Sequence, residues 1–298
     1  MTGAGTQDRQ SQKRPGTSEN GAIPGEKPGT TRSSPDLKGV EETLFIPLWA
    51  RAVETRRQDG IIRDPYALRI LQDLEYDFSR FDKGWASQVG IAVRTWLFDR
   101  EVSLYLDRHP RGTVVILGCG LDARSLRLDN GRARFIDLDL PDVIKLRNEH
   151  FPCIERHETL ARSVLDLEWL DRVPAGEPPL FVAEGLFMYL PEADLKRLMT
   201  AMAERFPGAT ILIESLSRRR ASLTHKHDVV SKLNATFVWG VDSGRELESW
   251  HPRIVFEKQW PYLDFAKHRW GWMRYVRHLR PARDAIKLMR LRFAERQP

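Results

Sequence analysis

The residues best suited to chemistry lie in VVILGCGLDAR, where an apolar run opens directly onto Gly118, Cys119 and Gly120. Glycines at the end of a strand allow a tight turn and close approach to a ligand, and the helix start that follows offers unpaired amides. The next apolar run, ARFIDLD, ends in Asp137 and Asp139, and Asp139 stands 21 residues after Gly118. A carboxylate about 20 residues past such a turn is where a Rossmann-type site hydrogen-bonds a ribose hydroxyl. An adenosine-containing ligand with an unphosphorylated ribose is therefore expected. Both NAD and S-adenosylmethionine fit, because residues 118–123 also satisfy G-x-G-x-x-A. The competing reading is that Asp137 and Asp139 only cap a strand.

Two later acids narrow the choice. Asp166, in SVLDLEWL, follows the place of a third strand, and Glu184 follows another in FVAEG. Carboxylates at successive strand ends suit a ligand carrying a ribose, an adenine amino group and an α-ammonium, whereas a dinucleotide needs cations or amides for its pyrophosphate. Each acid also has a plainer reading, Asp166 as a helix-start residue above all. No metal site is expected: His225 and His227 are two apart in a polar stretch, and His251, His268 and His278 lack ligand spacing. Cys119 has no partner base and reads as a small packing residue. Five tryptophans (239, 250, 260, 270 and 272) crowd the last third, where core packing is the default and an apolar acceptor pocket the sharper alternative.

These residues need strands and helices to position them. TVVILG, ARFIDLD, PLFVAEG and ATILIES are short runs rich in branched apolar residues, and PEADLKRLMTAMAERFPG between the last two has helix start and stop signals. Strands alternating with helices predict a mainly parallel α/β sheet covered on both faces. Upstream, EETLFIPLWARAVETRR shows helical spacings interrupted by Pro47. VGIAVRTWLFDREVSLYLDRHP places Val89, Val93, Trp96, Val102 and Leu106 on one face. These form a helical cap over residues 41–110, before an α/β core over 111–298. Residues 1–40 have no aromatic residue and read as a disordered tail. After residue 215, 217–250 reads as helical and polar, RIVFEKQWPY as a strand, FAKHRWGWMRYVRHL as a helix, and KLMRLRF as a late antiparallel strand.

The 298 residues include two Cys and no apolar stretch long enough to span a bilayer, so a disulfide scaffold is excluded and a cytoplasmic protein with no membrane partner is expected. The net charge of +6 invites a nucleic-acid or membrane reading. Residues 1–40 carry 6 basic and 4 acidic residues, residues 265–298 carry 10 and 2, and the remainder 31 and 35, so the excess sits at the C-terminus. Arg290 and Arg292 alternate with apolar residues there and read as the solvated face of a sheet edge. No nucleic-acid partner is expected, and binding through the basic C-terminus is kept as the non-enzyme alternative.

GCGLDAR, FIDLDLPDVIKLR, ARSVLDLEWL and FVAEGLFMYLPE, in this order, resemble the leucine carboxyl methyltransferase family of S-adenosylmethionine-dependent enzymes. The similarity is greatest to its bacterial and fungal branch, typified by the tetracenomycin polyketide O-methyltransferase. It runs from about residue 41 to the C-terminus. The resemblance implies a Rossmann-like class I methyltransferase fold, with a seven-stranded, mainly parallel sheet, one antiparallel strand and an N-terminal helical lid. It also implies S-adenosylmethionine as cofactor, with Arg94 on the methionine carboxylate, Gly118 and Gly120 beneath that moiety, and Asp139 on the ribose. Asp166 and Leu167 would meet the adenine, Glu184 would lie near the methionyl group, and Arg51 would be a basic residue of the lid. Ala123 stands where the family pattern has Thr, which removes one hydroxyl from the glycine loop.

The expected reaction is methyl-ester formation on the carboxylate of a small molecule, polyketide-like or another secondary metabolite, with Tyr189 and Arg51 as candidates near the acceptor. A carboxylate is already ionised, so orientation and water exclusion supply most of the acceleration. The alternatives are esterification of a protein C-terminal carboxylate and methylation of a phenol, which would need a base.

Overall fold

A computed structural model of the chain describes residue 37, residues 39–223, residue 233 and residues 235–295. The tail assigned to residues 1–40 falls almost wholly outside the described residues, as do His225 and His227. Leu37, however, is buried against the N-terminal helices.

A 3-10 turn at Glu41–Leu44 leads into α1 (Phe45–Arg56), and Pro47 sits in its first turn, where proline costs no hydrogen bond, so the expected interruption does not occur. Helix α2 (Pro65–Asp73) begins at Asp64, whose side chain accepts from the Ala67 amide. Helix α3 (Trp85–Arg108) is 24 residues long and buries Val89, Val93, Val102 and Leu106 as the spacing predicts. Trp96 departs from that face; it is partly exposed, against Phe265 and the Arg100 guanidinium.

The core then runs β1 (Thr113–Leu117), a short α4 (Arg124–Arg127), β2 (Arg134–Asp139), α5 (Pro141–His150), β3 (His157–Ala161), β4 (Leu180–Ala183), α6 (Glu192–Arg205) and β5 (Thr210–Leu216). It ends with α7 (Arg218–Ala221), β6 (Ile254–Pro261), α8 (Met273–Val276), α9 (Arg280–Arg283) and β7 (Ile286–Phe293). The sheet order is β3-β2-β1-β4-β5-β7-β6. Neighbours among β1 to β5 pair in parallel, and β7 lies antiparallel between β5 and β6.

Strand residues alternate between two buried faces, which is why these runs read as almost continuously apolar. Val115, Leu117, Phe181 and Ile213 pack on one face with α6; Val114, Ile116, Val182 and Leu212 pack on the other with α3.

Three expectations for the C-terminal third change. Residues 265–279 are not one helix: Gly271 at φ 49° and Ala266 at φ 44° break the stretch into a 3-10 turn, Lys267–Trp270, and α8. Within 217–250 only α7 and a 3-10 turn at Gly244–Trp250 are helical among the described residues. Strand β7 is no sheet edge, because β6 pairs outside it; Arg290 and Arg292 pair with Glu257 of β6, and Arg290 also reaches Glu101 of α3.

Candidate active site

The strand ends β1, β2, β4 and β5 open into one cavity of about 520 Å³. Gly118, with φ +66°, and Gly120, with φ +47°, turn the chain after β1; a Cβ on Gly118 would lie 3.0 Å from the Leu186 side chain. Both Gly118 and Cys119 donate their amides to the Leu138 carbonyl, and Gly120 donates to Asp139 Oδ2 at 2.7 Å. Asp139 also accepts from the Leu140 amide. Burial pushes its carboxyl above the usual range, although the two amides pull the other way. Substituting Gly118 by Ala forces a left-handed residue and crowds Leu186. A destabilisation of about 1–2 kcal/mol is expected, read as a lower urea midpoint at unchanged slope.

Arg94, on α3, lies between two carboxylates: Nε is 2.8 Å from Glu184 Oε1 and Nη1 is 3.0 Å from Glu214 Oε2. Both contacts are close ion pairs, and Nε is fully buried. Glu184 is shared, since its Oε2 accepts from Arg124 at 2.6 Å. Arg124 is fully buried and also holds Asp99 and Asp122. Arg127 continues the chain to Asp99 and Asp64, and Arg51 closes it on Asp64 at 2.9 Å. Four arginines (51, 94, 124 and 127) thus face five carboxylates (Asp64, Asp99, Asp122, Glu184 and Glu214) in one continuous network, of which Arg51, Arg94, Asp122, Glu184 and Glu214 line the cavity.

Burial raises Glu184, but Arg124 and Arg94 together outweigh it and hold its carboxyl below the usual range. Glu214 goes the other way: burial outweighs Arg94, and its carboxyl is raised, with Tyr262 donating to Oε1 at 3.2 Å. Burial also pushes the Cys119 thiol well up, in keeping with a packing role.

Most of the sequence-derived candidates meet at this cavity. Arg51, Arg94, Gly118, Gly120, Asp139, Glu184 and Tyr189 all line it. Arg51 is already engaged by Asp64 and the Leu121 carbonyl. Asp166 and Leu167 do not line it. Asp166 caps the 3-10 turn Leu167–Arg172 and pairs with Arg162, the helix-start role that was its plainer reading; its amide donates to the carbonyl of Ser163, which does line the cavity. Glu214, Tyr262, Asp122 and Arg124 went unassigned from the sequence. The signal for Glu214 was a lone acid inside the apolar run ATILIES, since a charge in such a run must find a buried partner. Of the tryptophans, 239, 260 and 270 are buried, Trp270 lines the cavity, and Trp272 is 66% exposed.

The cavity has two ends. The glycine turn, Asp139, Leu140 and Val164 make one; Phe237, Trp270, Met273, Leu216 and Ile286 make the other, an apolar end that includes Tyr189. Among the described residues no group of His, Cys, Asp and Glu could hold a metal ion, and no helix is long and apolar enough to cross a membrane.

An antiparallel β7 inserted between β5 and β6 departs from the 3-2-1-4-5-6 order of dinucleotide-binding sheets. Order and site together define a class I methyltransferase fold. A protein of Thermobifida fusca assigned as a methyltransferase has a similar structure, with a TM-score of 0.55 at 15% identity over 82% of this chain and 94% of that one. Residues 45–203 match the family model for leucine carboxyl methyltransferase. The tetracenomycin polyketide synthesis O-methyltransferase TcmP of Streptomyces glaucescens is 34% identical over 229 residues, 76% of this chain and 85% of TcmP. The S-adenosyl-L-methionine-dependent methyltransferase dpfgK of Gibberella zeae is 30% identical over 262 residues, 80% of this chain and 88% of dpfgK. The chain belongs to the leucine carboxyl methyltransferase family and is an S-adenosylmethionine-dependent methyltransferase.

Proposed function

We propose that the enzyme forms a methyl ester on the carboxylate of a small apolar acceptor of polyketide type. The observation that carries this reading is the single cavity joining the glycine turn and Asp139 to an aromatic end, with no histidine in its lining among the described residues.

S-adenosylmethionine supplies an electrophilic methyl group on a sulfonium when bound. The residues fit it: Asp139 would accept from the ribose hydroxyls, Leu140 and Val164 would flank the adenine, with Asp166 tied to the cavity through the Ser163 carbonyl, and Gly118 and Gly120 would leave room for the methionyl chain. Arg94 would take the methionine carboxylate on its guanidinium, and Glu184 would suit the α-ammonium and sulfonium. Helix α1, its preceding turn and the start of α3 roof the cavity as a lid, through Glu41, Leu44, Pro47 and Ile91. Excluding water there strengthens each of these contacts.

The acceptor end also holds Arg220 and Arg283, the latter already paired with Asp264. Burial pushes the Tyr189 hydroxyl up to about 12, so it donates a hydrogen bond to an acceptor oxygen and is no base at neutral pH. A carboxylate needs none. The chain therefore orients the acceptor oxygen in line with methyl and sulfur, and proton transfer plays no part.

A phenol is the second reading, favoured by one observation: the raised carboxyl of Glu214 lines the same cavity and is placed to accept a proton. The pH dependence of kcat separates them. A carboxylate acceptor gives a rate that is flat from about pH 6 to 8, whereas a proton lost in the reaction gives a limb that rises with pH.

A further inference from the structure

Residues 265–283 carry six basic residues and no Asp or Glu. They fold into consecutive short turns, the 3-10 turn Lys267–Trp270, α8 and α9. Two cations are committed internally, Arg269 to Glu54 and Arg283 to Asp264. Lys267, Arg274, Arg277 and Arg280 have no acid partner among the described residues. Between them stand Trp272, Tyr275 and Leu279, which are 66%, 66% and 61% exposed. The exposed Trp85 ring lies beside Gly271 and extends the patch. The inner side of the same segment, Trp270, Met273, Ala282 and Arg283, lines the cavity.

Scattered exposed apolar residues are ordinary, but three large ones on successive turns, rimmed by unpaired cations, mark an interaction surface. Protein hot spots gather their anchors in desolvated pockets. Here none of the three lines the cavity, and each stands out from a turn with cations on either side. That arrangement matches the interface of an anionic bilayer: Trp, Tyr and Leu enter the headgroup boundary while Lys and Arg meet lipid phosphates.

We propose that residues 267–283, with Trp85, dock the enzyme on an anionic membrane surface, so that the acceptor end of the cavity faces the lipid and an apolar acceptor enters from it. The last step rests on the acceptor reading above; the docking does not. This departs from the expectation of no membrane partner; surface docking needs no spanning segment.

The test is flotation of the full chain with vesicles of phosphatidylcholine alone and of phosphatidylcholine mixed with phosphatidylglycerol. Binding is expected to the mixed vesicles, with loss at high salt. Two separate triple variants, Trp272→Ser/Tyr275→Ser/Leu279→Ser and Arg274→Gln/Arg277→Gln/Arg280→Gln, should each cut the bound fraction about tenfold or more. Calorimetric binding of S-adenosylhomocysteine should stay at the parent value in both, which shows that the fold and cofactor site are intact. Failure of the parent chain to bind mixed vesicles, or binding to polyglutamate or an oligonucleotide in its place, overturns the docking and leaves the methyltransferase reading standing. Vesicle binding that survives both sets of substitutions overturns it equally.

Discussion

Replacing Arg94 by Met is expected to weaken S-adenosylmethionine binding about a hundredfold or more, the usual consequence of truncating one partner of a buried charge pair. The guanidinium is the cation between Glu184 and Glu214, and it lines the cavity. Without it the cofactor carboxylate would meet two acids at close range. Arg94→Lys should recover only part of the loss, because an ammonium cannot present a planar fork to three carboxylates at once. Calorimetry checks both variants; an affinity within threefold of the parent would remove Arg94 from the cofactor site.

Arg124→Met should cost the most stability of any single change near the site, about 3–5 kcal/mol at neutral pH. Arg124 is fully buried, and its loss leaves Asp122 and Glu184 short of a counter-charge. The pH dependence identifies the cause. Both acids have carboxyls held low in the folded state, where Arg124 and its fellow arginines outweigh burial, so their contribution is present above the unfolded carboxylate range and is lost as pH falls through the folded values. In the variant that lowering is weakened. The deficit in urea midpoint should thus be largest near neutral pH and shrink on acidification. A deficit of constant size would show that Arg124 matters only for packing.

The sheet was legible because strands buried on both faces have little choice but continuous Val, Ile, Leu and Phe, as in TVVIL and ILI. Strand β3, HETLA, was not, since at the open edge only Leu160 is well buried. Helix α2 escaped for a related reason: it buries only Ala67 and Ile70, so its apolar stripe is narrow. The break in 265–279 falls at Gly271, a breaker that the flanking apolar spacing outweighs in the sequence, and at Ala266, whose left-handed conformation no propensity signals. In the site, the acids at strand ends were legible because position along the chain fixes their place at one edge of a parallel sheet. Of the arginines that neutralise them, Arg94 and Arg51 came only through the family resemblance, and Arg124 and Arg127 were not foreseen. Arg124 lies within the quoted GCGLDAR motif, yet its partners Asp99 and Glu184 are 25 and 60 residues away, and only the fold brings them together. The same holds for Arg290 and Arg292, whose partner Glu257 depends on β6 pairing outside β7.

The central claim, that methyl groups pass from S-adenosylmethionine to a carboxylate, is tested most directly by the alkali lability of the product. The enzyme is incubated with methyl-labelled cofactor and an extract of apolar acids, and the labelled products are then treated with mild alkali. The label is expected to leave as methanol, as an ester requires. Label that stays on the product after saponification would contradict it.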